Sequence, residues 1–232
     1  MPNHITTIIK ASENVLNALL SEEDGTQCVD FSKIIPMPKI LKDVQCEFHA
    51  VDIVEVLFDG LKIKDGGIFE NIAYSNKINS LKDGAIKNWD DKRIENLINM
   101  IKAKKETGYT SWYEWSIDNW GTKWNAYDFV NHGDHVKFDT AWATPRPVIE
   151  KLSKMFPEES IEVKYADEDI GSNYGHFIIK DGEIIEIEID DPIRFAVMLK
   201  YEEIPEYYRE NQLLVSLNIL MKMKMMRKIV SN

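Results

Sequence analysis

The chain has 232 residues, 44% hydrophobic and 10% aromatic, a composition that fits one large globular domain or two small ones. A formal net charge of −11 argues against a duplex-DNA binder, since phosphate affinity rests on Lys and Arg, and two cysteines are too few for an iron–sulfur cluster with its about four Cys ligands. No stretch approaches the roughly 18 apolar residues of a membrane helix, and residues 1–7 lack the basic and apolar regions of a signal peptide, so a cytoplasmic protein without membrane association is expected.

Residues 3–10 predict a first strand, because Ile5, Thr6, Thr7, Ile8 and Ile9 are all β-branched. Apolar residues at 15, 16, 19 and 20 predict an amphipathic helix with Ser12 as its N-cap, ended by Glu22-Glu23-Asp24-Gly25. Residues 29–31 are a short extended piece leading to Ile34-Ile35-Pro36-Met37-Pro38, where two prolines forbid a regular helix. Residues 51–58 fit a strand or a helix. Residues 86–105 are helical, with Trp89, Ile94, Leu97, Ile98 and Ile101 on one face and Gly108 as the residue closing the end.

The second half predicts one or two helical turns over 112–119, a turn at Gly121, and a hairpin of strands 124–130 and 135–142 around Asn131-His132-Gly133-Asp134. In its second arm Val136, Phe138, Thr140 and Trp142 are expected on one side. Pro145 and Pro147 open a helix bearing Val148, Ile149, Leu152, Met155 and Phe156, and Pro157 ends it. Strands follow at 160–165, 174–180 and 183–189, the last two joined by Asp181-Gly182. Residues 213–221 carry a leucine stripe at helical spacing, followed by a Met/Lys-rich stretch. Charge is uneven: residues 181–211 carry 10 acidic and 3 basic groups, while residues 212–232 carry 4 basic groups and no acidic one. The acidic surface is either a solubility device or a match for a basic partner.

Five of the six tryptophans fall between Trp112 and Trp142. Such a cluster is either the core of a domain or a surface built to hold something. Within Trp120-Gly121-Thr122-Lys123-Trp124, Gly121 permits a tight turn, with tryptophans on either side and Lys123 placed to lie on a ring. Trp115, Trp120, Lys123, Trp124, Trp142 and Arg146 are therefore the candidate ligand- or partner-binding residues. No Walker or Rossmann phosphate loop, zinc-ligand spacing or nucleophile–base set is present, so no catalytic residue, metal or cofactor is expected. His132, Asp134, His135 and Asp139 are the most metal-like group, and Asp167-Glu168-Asp169 an acidic turn; solvated turns account for both.

The run Tyr113-Glu114-Trp115…Trp120-Gly121-Thr122-Lys123-Trp124, with Phe138-Asp139-Thr140-Ala141-Trp142 and Pro145, resembles the YubB ferredoxin-like family, carried by plasmids, phages and prophages. The Met1-Pro2-Asn3 opening, Phe31…Ile35-Pro36-Met37-Pro38 and Tyr165…Gly171 add to the resemblance, which covers most of residues 1–185. It implies a sheet topology rather than an iron–sulfur centre, and it carries over no catalytic residue. The Met/Lys tail from 212 onward departs from the family.

The expected fold is α+β: a ferredoxin-like mixed or antiparallel sheet with helices on one face and an appended C-terminal helix. Residues 1–190 form the domain, with an insertion at roughly 39–110, and residues 191–232 a helical extension. The expected function is that of a non-enzymatic accessory protein of a mobile genetic element. It would bind a host or element protein, with counter-defence as a candidate role. Self-association through the C-terminal helix is a second expected contact. The alternative is a nucleotide or single-stranded nucleic-acid binder using the tryptophan-rich platform.

Overall fold

A computed structural model describes residues 3–59 and 88–201. Strand β1 (His4–Lys10) is the centre of a six-stranded antiparallel sheet, ordered β4-β5-β1-β6-β7-β8. Its neighbours are β5 (His135–Ala141) and β6 (Ile161–Asp167), in registers that set Thr7 opposite both Phe138 and Tyr165. Outside them lie β4 (Tyr127–Asn131) on one edge and β7 (Tyr174–Lys180) and β8 (Glu183–Glu186) on the other. Helix α1 (Glu13–Leu19) follows β1. The helix that links β5 to β6, Arg146–Met155, is α6 in chain order. The path β1-α1-β4-β5-α6-β6, with β6-β1-β5-β4 in space, is the ferredoxin-like arrangement; β7 and β8 extend it as a meander.

Strand alternation builds the core. Ile9, Val136, Phe138, Ile161, Val163, Phe177 and Ile179 turn to one face, where Val15, Leu16 and Leu19 of α1 and Val148, Ile149 and Leu152 of α6 meet them. Val136, Phe138 and Thr140 share a side as expected. Trp142 does not: its φ of 73° breaks the alternation one residue past the end of β5.

Between α1 and β4 the chain adds material. Strands β2 (Leu20–Glu23) and β3 (Thr26–Val29) form a separate hairpin turned by Asp24-Gly25. The acidic run expected only to end the first helix is therefore a hairpin turn, because both Asp24 and Gly25 take positive φ. A 3-10 turn over Phe31–Lys33 follows, capped by the Asp30 carboxylate. Then come α2 (Lys39–Lys42), α3 (Phe48–Asp59) and α4 (Asp91–Thr107). The ambiguous stretch 51–58 is helix. Helix α4 is closed by Gly108 as read from the sequence, but it starts at Asp91 behind an Asp90 cap rather than at residue 86, and its buried face is Leu97, Met100 and Ala103, with Ile94 and Ile98 exposed. Ser12 has N-cap backbone geometry, yet its hydroxyl makes no capping bond.

Helix α5 (Trp112–Trp120) is held at its start by the Glu114 carboxylate, which accepts from the backbone N–H and hydroxyl of Thr110. Helix α7 (Pro192–Tyr201) falls within the expected C-terminal helical extension and covers the second face of the sheet. Ala196 and Leu199 pack on Ala166, with Ile8, Tyr174 and Phe195 around them, on the sheet face opposite α1 and α6. Ala166 and Ile8 sit at alternate positions to the main core residues, so this face needs its own cover. The leucine stripe and Met/Lys stretch of residues 213–228 lie outside the described residues. No helix among the described residues is long and apolar enough to cross a membrane.

Candidate functional site: an aromatic ridge at one end of the sheet

The start of β1, the start of β4, the end of β5 and the end of β6 meet at one end of the sheet. The tryptophan-rich segment divides there into a buried and an exposed half. Trp115 and Trp120 are each only 5% exposed. Their rings stand edge-to-face at 5.3 Å, and Trp120 meets Phe31 in the same way at 5.8 Å. The Trp120 indole N–H donates to the Ile35 carbonyl at 2.9 Å, so its burial leaves no donor unpaired. These two candidates are buried core residues, and the edge of Trp120 also lines a cleft with Asp30, Lys42 and Asn125. The reason for the burial is the helix: α5 turns both side chains inward together.

Lys123, Trp124 and Trp142 do come together. Trp124 is 39% and Trp142 41% exposed. The Lys123 ammonium lies 4.5 Å from the Trp124 ring centre, 5.0 Å from Trp142 and 5.7 Å from Tyr113. Tyr113 meets Trp142 edge-on at 6.2 Å. Local structure enforces the arrangement. Gly121 closes α5 with φ 76°, its position packed against the Pro147 ring at the start of α6. The buried Thr122 hydroxyl donates to the Ala141 carbonyl at 2.7 Å, and the Ser116 hydroxyl to the Lys123 carbonyl at 2.8 Å. Trp142 is held in its left-handed conformation by its own N–H to the Asn3 carbonyl and by the Asn173 amide on its carbonyl. A bulky residue there carries roughly 1–2 kcal/mol of backbone cost, an outlier that marks the position.

The ridge continues to Tyr127, whose ring lies 6.5 Å from Trp124 and whose hydroxyl is hydrogen-bonded to Nδ1 of His4 at 2.8 Å. Asp139 is the cross-strand partner of Tyr127, and Asp128 sits beside it in a bulge with φ 50°. Burial, then the negative charges of Asp139, Asp128 and Glu168, push the Tyr127 phenol up to about 12. Tyr113, Tyr127 and Asp128 were not among the sequence candidates, and Asp139 and Glu168 were weighed only in a metal-like group and an acidic turn. Only the β4–β5 register, irregular at its bulge, brings Tyr127 to Asp139.

Arg146 belongs elsewhere. Its guanidinium lies 4.6 Å from the Phe177 ring centre and donates to Glu186 at 3.1 Å, on the β7–β8 side. The metal-like group also separates. His132 and His135 stack at 4.4 Å, and Asp134 pairs with His135 and Lys10 at the far end of the sheet. That end holds a cleft of about 230 Å³ lined by Ile8, Lys10, Asp134, His135, Glu162 and Lys164. No group of three metal-ligating side chains converges among the described residues. In the acidic turn Asp167 is buried and accepts from Asn3, Asn173 and the backbone N–H of Asp169.

No curated protein sequence matches the chain significantly. A crystal structure of protein api92 from Yersinia pseudotuberculosis is similar over 82% of this chain and 100% of its own, at 10% identity and a TM-score of 0.38. Residues 119–203, which run from the end of α5 past α7 and contain the whole exposed ridge except Tyr113, match the family model of the ferredoxin-like domain in Api92-like protein.

Proposed function

We propose that this chain is a non-enzymatic binding protein that acts through contact with another protein. The observation that carries the reading is the pair Trp124 and Trp142, large apolar rings about two-fifths exposed, with Trp142 held in a backbone conformation that L residues rarely adopt. Exposed aromatics held rigid are the usual anchors of protein interfaces. The resemblance to the YubB ferredoxin-like family extends the proposal to an accessory protein of a plasmid, phage or prophage, with a host or element protein as partner and counter-defence as a candidate role.

The second reading, a nucleotide or single-strand binder, draws on one observation, the Lys123 cation fixed over the rings. Against it, the rings meet edge-on rather than as a parallel slot, and three carboxylates surround the Tyr127 end. Backbone phosphates would meet those charges unfavourably.

The test is capture from the bacterial host with tagged wild-type protein and a Trp124→Ala/Trp142→Ala variant, each with and without nuclease treatment. A stoichiometric protein held by wild type and lost by the variant supports the reading. Recovery of nucleotide or nucleic acid alone, or a partner held equally by both forms, overturns it. Because both rings are exposed, the variant keeps its fold, which a thermal melt checks.

A further inference from the structure

The rim of the ridge has a sign, and it names the chemistry of what docks there. Asp128 and Glu168 are exposed and Asp139 is half-buried. Asp139 stands opposite Tyr127 across the β4–β5 pair, Asp128 follows it in the bulge, and the Glu168 backbone N–H donates to the carbonyl of His4, whose Nδ1 meets the Tyr127 hydroxyl. Among the described residues, ion pairs elsewhere join Asp134 to Lys10 and His135, Glu47 to Arg93, Glu186 to Arg146, and Glu162 to Lys164 and His176; none of these uses the three carboxylates. The one ridge cation, Lys123, is placed over Trp124, Trp142 and Tyr113, and forms no ion pair among the described residues. An apolar surface bordered by uncompensated negative charge is complementary to a planar, delocalised cation. A guanidinium stacks on an aromatic face while donating to carboxylates, and it is less strongly hydrated than an ammonium.

We propose that the Trp124–Tyr127 end of the ridge receives an arginine-bearing segment of the partner protein, its guanidinium set against the rings and its N–H groups on Asp128, Asp139 and Glu168. The inference rests on the protein-binding reading above. A second copy of this chain meeting the corner rim to rim is disfavoured, because identical acidic rims would face each other. A nucleic acid is disfavoured by the same charges.

The experiment uses the full-length protein with hexa-arginine as the probe and hexa-lysine as the comparator, read by tryptophan emission and calorimetry. One variant carries Asp128→Asn, Asp139→Asn and Glu168→Gln. A control carries Glu158→Gln and Glu183→Gln, two acidic positions that line a groove of about 500 Å³ near the β8 edge. Hexa-arginine is expected to bind wild type and control alike, to bind the triple variant about tenfold or more weakly, and to exceed hexa-lysine. Equal losses in triple variant and control, or no binding to wild type, overturn the proposal. The downward move of Tyr127 ionisation in the triple variant confirms that the corner was neutralised in a folded protein. If the captured partner depends on Trp124 and Trp142 but binds the triple variant unchanged, the arginine assignment fails and the protein-binding reading stands.

Discussion

Replacing Gly121 by alanine tests how the ridge is held, and Gly108→Ala supplies the internal reference. Both glycines close a helix in the left-handed region, Gly108 at φ 84° and Gly121 at φ 76°. An L side chain there costs roughly 1–2 kcal/mol from backbone sterics alone. A methyl at Gly108 meets nothing within 4 Å, so Gly108→Ala isolates that cost. A methyl at Gly121 lands 2.8 Å from Cδ and 3.4 Å from Cγ of Pro147, whose ring cannot rotate away. Overpacking of this kind adds about 1–3 kcal/mol, so Gly121→Ala is expected to cost roughly 2–5 kcal/mol in total. Urea unfolding followed by tryptophan emission measures both variants. Relief of the clash moves the turn that carries Lys123, so Gly121→Ala also changes the emission of the folded protein while Gly108→Ala leaves it alone. Equal costs for the two variants would refute the reasoning: the start of α6 would then be free to give way, and the Gly121–Pro147 contact would not set the turn.

The buried and exposed tryptophans differ in kind. Trp115→Ala is expected to cost about 3–5 kcal/mol in urea unfolding, whereas Trp142→Gly, which removes an exposed ring and relieves a φ of 73°, stays within about 1 kcal/mol of wild type. Trp120→Phe keeps an aromatic ring but leaves the Ile35 carbonyl without its indole donor, a loss of about 1–3 kcal/mol by the same assay. Spectrophotometric titration should find the Tyr127 phenol ionising near 12. Because its folded value is raised, its contribution to stability is complete below the ordinary value of 10.0 and is lost as pH rises through about 12; Tyr127→Phe removes that alkaline loss. Glu162 runs the other way. The Lys164 hydrogen bond holds its carboxyl down against burial, with His176 assisting. Its contribution is present above the ordinary value of 4.5 and is lost as pH falls through the lower folded value, so Glu162→Gln flattens the acid limb of stability against pH.

Where a local rule decided the outcome, the sequence was sufficient. The β-branched run at 5–9 made β1, the prolines at 145 and 147 opened α6, and Asp181-Gly182 turned β7 into β8. Gly108 and Gly121 ended their helices. The order of strands and helices, with the family resemblance, then led to the ferredoxin-like sheet. Local rules misled where two of them competed: Asp24-Gly25 ends a helical pattern and also turns a hairpin, and only pairing of 20–23 with 26–29 selects the hairpin. The isoleucines at 94 and 98 share a helical stripe with Leu97, but the neighbours of α4 cover Leu97, Met100 and Ala103 instead.

The fate of the tryptophans was not legible, because periodicity says that a ring has a side and not what stands on that side. Trp115 and Trp120 became core once Phe31 and the Ile35 carbonyl came up against α5 across a long stretch of chain. Trp142 became surface because Asn3 and Asn173, distant in sequence, hold its backbone where the strand alternation fails. Arg146, four residues from Trp142, was drawn instead to Phe177 and Glu186. Residue types and spacing determined the elements and supplied an excess of aromatics. Register and packing between segments distant in sequence decided which rings fill the core and which remain exposed beside an acidic corner.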